Sequence, residues 1–196
     1  GPNRYATAVA LAERALAASA GRARVTWSFR VSRGSASSEL VAASDEVDLV
    51  TVGSHASRIA GWRHVGSTAR AVLAGTRCPV LLMRHGARLV PPVMVVFDGT
   101  PGANDALDVA GQFARAMDHD LVVMTADDGS GDVERLAQVA SDRLSEADLE
   151  PRFRRFRRSD PGTIVSAARD AGCGLLVLPA DSPYLDADTV HMLTRS

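Results

Sequence analysis

Between Leu49 and Phe97 the chain carries six arginines, at positions 58, 63, 70, 77, 84 and 88, and no acidic residue. Within that stretch the apolar run 47–52 (VDLVTV) ends at Gly53, where glycine permits a tight turn and close backbone approach. Thirteen residues on, Gly66-Ser67-Thr68 opens a helical pattern through Ala69, Val72 and Leu73. A glycine followed by two hydroxyls at a helix start offers exposed amides, the positive end of the helix dipole and two side-chain donors. That is the chemistry of a phosphate site. Gly53, Ser54, His55 and Ala56 would form one wall, and Gly66, Ser67 and Thr68 the other, with Arg58 or Arg63 neutralising charge. The same residues also read as a plain strand–helix connection, and His55 and His64 as phosphate contacts or as surface.

Other chemistries lack their residues. All 22 basic residues are arginine, which removes the lysine P-loop and Schiff-base chemistry. His55, His64, His85, His119 and His191 show no metal-ligand spacing. Cys78 and Cys173 form neither a CxxC pair nor a disulfide framework, so a reduced cytoplasmic setting is the expectation. Cys78, just before Pro79, reads as a strand-start residue rather than a nucleophile. No GxSxG elbow occurs. Aromatics at 5% argue against a base-stacking surface. The run RFRRFRR (152–158) lies beside Glu146, Asp148, Glu150 and Asp160, and reads as a solvated edge strand whose arginines discourage pairing. Asp98-Gly99-Thr100-Pro101 reads as a turn and helix cap.

The elements that must position these residues follow from periodicity. Residues 25–31 (VTWSFRV) alternate as a half-buried strand should, while 47–52, 79–83, 93–97, 121–124 and 174–178 are the near-continuous apolar runs of a covered parallel sheet. Helical spacing fills the gaps, at Ala106 to Met117 and Leu136 to Leu144, and the opening ATAVALAERALAASA reads as an amphipathic helix. Strand–helix alternation predicts an α/β chain with an open, mostly parallel sheet and helices on both faces. With 196 residues, 46% of them hydrophobic, there is ample core for one α/β domain or two small ones. The longest apolar runs fall short of a membrane span.

Charge and repetition divide the chain. Residues 1–97 hold 12 arginines against 5 acids, and residues 98–196 hold 10 against 18, so +7 faces −8. The segment 29–53 aligns with 155–179 as strand, polar turn, short helix, turn and apolar strand, an internal repeat. The join is 84–92 (RHGARLVPP), rich in Gly, Pro and Arg. We therefore expect one copy over 3–88 and a second over 92–196.

The stretch 53–84 resembles the nucleotide motif of the universal stress protein family, Gly-x2-Gly-x9-Gly-(Ser/Thr) followed by Cys-Pro-Val-Leu. Gly53, Ala56, Gly66 and Ser67 fall on its four positions, and Cys78-Pro79-Val80-Leu81 on the start of its last strand. VMVVFDGT (93–100) and the following PGANDALDVAGQFARAMD are similar to that family's opening strand and first helix. The resemblance implies a Rossmann-like fold of the adenine-nucleotide α-hydrolase type in tandem, and ATP or a related adenine nucleotide as ligand, with magnesium as companion. It places Asp98 at the adenine contact. It also implies pairing through the last strand of a complete copy, Pro79 to Met83, hence a homodimer or a place in a larger regulatory protein.

The sequence departs from that pattern. Ala56 stands where the middle glycine belongs, and its methyl group opposes close backbone approach. The first copy lacks its opening strands; in the second, Pro179 and Ala180 replace the glycine loop, and the chain ends near a last helix at about 187–194 with no closing strand. The first copy thus keeps the phosphate half of the site and the second the adenine half. Either the missing strands lie outside these residues, or strand 93–97 completes the first copy's sheet. The leading Gly1-Pro2 has the form of a protease-cleavage scar, which favours excision from a longer chain. Three functions remain in order: a nucleotide-sensing module of the stress response, a nucleotide-free dimerisation or interaction domain, and an enzyme, for which no acid–base constellation speaks. Any ATP hydrolysis should be slow. Neither nucleic acid nor direct membrane insertion is expected.

Overall fold

Near-continuous apolar strands need cover on both faces, and the computed structural model shows how the chain supplies it. It describes residues 4–54, 65–84, 86–127, 132–157 and 162–182. In chain order the elements are α1 (Arg4–Ala23), α2 (Ala36–Ala43), a 3-10 turn (Ser44–Glu46), β1 (Val50–Gly53), α3 (Ser67–Gly75) and β2 (Val80–Met83). Then come β3 (Val93–Phe97), α4 (Pro101–Met117), β4 (Leu121–Asp127), α5 (Val133–Ser145), β5 (Arg152–Arg157), α6 (Gly162–Asp170) and β6 (Leu175–Val177).

Two separate parallel sheets result. β1 pairs with β2 from Val50 opposite Val80 to Gly53 opposite Met83. The other sheet has the order β5-β4-β3-β6, all parallel. Its centre, β3, is fully buried along its length. Val93, Val95 and Phe97 pack with α4 and α5, whereas Met94 and Val96 pack with Ile164 and Ala168 of α6. Helices therefore cover both faces, which is why VMVVF shows no polar alternation.

Both halves of the internal repeat contain a short helix followed by a parallel strand, α2–β1 and α6–β6. β5 lies at a sheet edge as its arginines suggested, with Arg155 paired to Glu134 and Arg152 to Asp120, each at 2.6 Å. Gly174, just before β6, is tightly placed: a Cβ there would fall on the Val90 carbonyl oxygen. Gly174→Ala should therefore cost about 2 kcal/mol through forced backbone shifts, measurable by urea unfolding.

Two expectations are corrected. Residues 25–31 form no strand; Val25, Trp27 and Val31 are 57%, 42% and 48% exposed. Alternation suits a strand, but a strand exists only with a ladder partner, and none lies beside this segment among the described residues. Strand 93–97 does not complete the first sheet either. It is already paired on both edges, with β4 and β6. The opening helix α1 forms as expected, yet only Ala20 of it is buried. The helix expected at 187–194 lies outside the described residues. No helix among the described residues is long and apolar enough to cross a membrane.

Candidate functional site

The first half builds a strand–loop–helix unit. The buried side chains of Val50 and Val52 on β1 pack with Ala69 and Val72 of α3, which fixes the helix against the small sheet. The loop leaves β1 at Gly53, and the Ser54 amide donates to the Met83 carbonyl at 2.9 Å, tying the loop's start to the end of β2. Gly53 has open space where a Cβ would lie. The helix resumes at Gly66, its N-cap, with φ −58° and ψ 151°. Among the described residues no side chain caps it, and the first backbone bond runs from the Arg70 amide to the Gly66 carbonyl at 3.0 Å. The first-turn amides thus keep the donor character of an uncapped helix end. Ser67 is exposed and Thr68 half-buried.

Gly53, Ser54, Gly66, Ser67 and Thr68 accordingly belong to one unit. His55 and Ala56, like Arg58, Arg63 and His64, lie outside the described residues. Asp98 belongs to the other sheet, at the carboxyl end of β3, between β4 and β6. Its carboxylate is engaged locally: Oδ1 accepts from the Thr100 hydroxyl at 2.8 Å and from the Thr100 amide at 3.1 Å. Thr100 in turn caps α4, its Oγ1 accepting from the Ala103 amide at 3.2 Å. The turn-and-cap reading of this motif holds.

Sequence inspection overlooked Asp181. A Cβ built at Gly102 would fall on its carboxylate, so this acid rests on the first turn of α4. There the helix dipole favours a negative charge. The two helix starts therefore differ: α4 is capped by Thr100 and faced by a carboxylate, while the N-cap of α3 is a glycine with no side chain to cap it. The signal available was PADS (179–182), an acid in the place of a glycine loop after an apolar strand. A second omission is Thr125, 1% exposed on β4 opposite Phe97, whose hydroxyl has no hydrogen-bond partner among the described residues.

Cys173 is a free, half-buried thiol. Its thiol donates to the Leu175 carbonyl at 3.1 Å, and burial pushes its pKa up to about 11. The neutral thiol is thus favoured by folding, so its contribution is intact below the ordinary value of 9.0 and is lost as pH rises through about 11. Urea unfolding of wild type and Cys173→Ala should show the wild type losing stability relative to the variant across that window.

With this geometry established, comparison with known proteins places it. Residues 2–84 match the model of the universal stress protein family. That segment belongs to the family. No curated protein matches the chain. Across 87% of the chain the structure aligns with a universal stress protein from Archaeoglobus fulgidus DSM 4304, with a TM-score of 0.65 and 18% identity. This shows the family's α/β fold, with parallel sheets and helices, beyond the matched segment. The chain spans 64% of that protein's length. A protein from Mycobacterium tuberculosis H37Rv aligns over 44% of this chain and 68% of its own, with 24% identity and a TM-score of 0.40. A universal stress protein solved in complex with cAMP aligns over 43% and 68%, with 27% identity and a TM-score of 0.40.

Proposed function

We propose that the chain is a regulatory module that binds an adenine nucleotide, its phosphates held at the start of α3. The observation that carries this reading is the contrast between the two helix starts. Among the described residues α3 begins without a side-chain cap, in a stretch free of carboxylates, whereas α4 already faces Asp181. The family to which residues 2–84 belong supports the same ligand class. The Gly66, Ser67 and Thr68 amides and hydroxyls would hold the phosphates, with Gly53 and Ser54 leaving room for close approach. Asp98, already bound to Thr100, would serve adenine only through its second carboxylate oxygen. Magnesium would accompany the phosphates rather than sit on a protein carboxylate, so hydrolysis is slow. In this reading the halves 3–88 and 92–196 are two copies of one unit in a cytoplasmic protein.

Calorimetric titration with ATP, with and without magnesium, tests the proposal. Saturable binding is expected; none up to millimolar ATP would overturn it. The second reading, a nucleotide-free dimerisation domain, is favoured by the exposure of Tyr5, Leu11, Val25 and Trp27 at 42% or more. Apolar side chains of this kind mark an association site where they form one contiguous patch. Sedimentation showing a monomer at all micromolar concentrations would remove it.

A further inference from the structure

Charge is segregated along the chain, +7 over residues 1–97 and −8 over 98–196, within a net charge of −1. The ion pairs among the described residues all lie in the second half, so they neutralise no arginine of the first. Three of those arginines, Arg4, Arg14 and Arg22, are exposed on α1. At about 100° per residue, Arg4 and Arg22 fall on one line of the helix, roughly 27 Å apart, with Arg14 about 80° away. Ala20, the one buried residue of α1, lies about 160° from that line. The arginine ridge therefore points away from the chain's own packing, and Glu13, the one acid of α1, is on the opposite side.

The second half gathers the opposite charge at one end of its sheet. α4 leads into β4 and α5 into β5, and these strands are neighbours with Val122 opposite Arg152, so both helix ends meet there. Asp118 is the C-cap of α4 and Glu146 that of α5, with Asp142 near the end of α5 and Asp148 and Glu150 in the link to β5. All five are exposed, and none forms an ion pair among the described residues. The arginines nearby are mostly engaged, Arg143 with Asp108 and Arg152 with Asp120, each at 2.6 Å. Arg115 and His119 stand there too, both exposed. A helix C-terminus is itself the negative end of a dipole, so carboxylates there are unfavourable until a cation joins them.

We propose that the arginine ridge of α1 on one molecule docks on this acidic end of a second molecule of the same chain. Charge complementarity selects the occupant, and the net charge of −1 leaves little overall repulsion between molecules. The two surfaces differ, so the contact is head-to-tail and does not by itself close at a dimer. It uses neither Gly53 and Ser54 nor Gly66 to Thr68, and so stands whether or not a nucleotide binds there. The association is weak and salt-sensitive, because exposed ion pairs contribute little each and are screened beyond about 8 Å at physiological ionic strength.

Sedimentation velocity of the whole chain at low and high salt, about 0.02 M and 0.5 M, tests this. At low salt the average sedimentation coefficient should rise with concentration past that of a dimer, and at high salt it should fall to the monomer value. Arg4→Gln/Arg14→Gln/Arg22→Gln should weaken association roughly tenfold or more, and Asp142→Asn/Glu146→Gln/Glu150→Gln likewise. Both variants should unfold in urea close to wild type, since all six side chains are exposed. Mixed in equal amounts, the two variants should form a 1:1 dimer and nothing larger, because each keeps the surface that the other has lost. Association that ignores salt and both sets of substitutions would overturn the proposal, as contact through exposed Leu11 and Trp27 would give. A monomer at low salt would overturn it too, whether the acidic end then binds an octa-arginine peptide, as it would for a foreign basic partner, or binds nothing.

Discussion

Gly66→Asp should weaken ATP binding at least about 100-fold while leaving the fold slightly more stable. The two effects have one cause. Gly66 is the N-cap of α3, in an extended conformation that aspartate also adopts, and no side chain among the described residues caps the helix. An aspartate there would accept from the first-turn amides itself, which raises helix stability by a few tenths of a kcal/mol relative to glycine. The same carboxylate would occupy the position proposed for the phosphates, where a like charge costs several kcal/mol. Asp181 already sets a carboxylate against the first turn of α4. Calorimetry for binding and urea unfolding for stability separate the outcomes. Lost binding with reduced stability would point to misfolding, and unchanged binding would remove α3 from the site.

Phe97→Ala should cost about 4 kcal/mol, a large share of the roughly 5–15 kcal/mol that holds such domains together. Phe97 ends β3, the central strand, is fully buried, and packs in the cluster that joins β3, β4, α4 and α5. Neither neighbouring strand can move in to fill the space, because β3 is paired on both sides. The midpoint of thermal unfolding should fall by roughly 8–16 °C for a chain of this size. A loss below about 1 kcal/mol in urea unfolding would mean that β3 is not the centre of the core.

The legible parts of the fold were those whose own sequence carries the reason for their structure. VMVVF reads as a doubly covered strand because it is one, and Ala106 to Met117 reads as a helix because one face is buried. The segment 25–31 reads as a strand and is not, since its alternation describes a surface that needs a neighbour absent from the described residues. The pairing of 93–97 was likewise beyond the sequence. An apolar strand advertises burial on two faces but not which strands stand beside it, and β4 and β6 occupy both edges.

The candidate site divides the same way. Gly66-Ser67-Thr68 was legible because helix starts obey local rules, and the Asp98–Thr100 turn for the same reason. Asp181 was not: its role depends on meeting Gly102, 79 residues earlier in the chain, and glycine marks such a contact only by lacking a side chain.

The central claim is that phosphates sit on the first turn of α3. Amide chemical shifts of the nitrogen-15-labelled chain during an ATP titration test it most directly. The account predicts saturable shifts at Gly53, Ser54, Gly66, Ser67 and Thr68, with the α4 start at Gly102 and Ala103 unmoved. Shifts confined to Gly102, Ala103 and Asp181, with Gly66 to Thr68 silent, would contradict it.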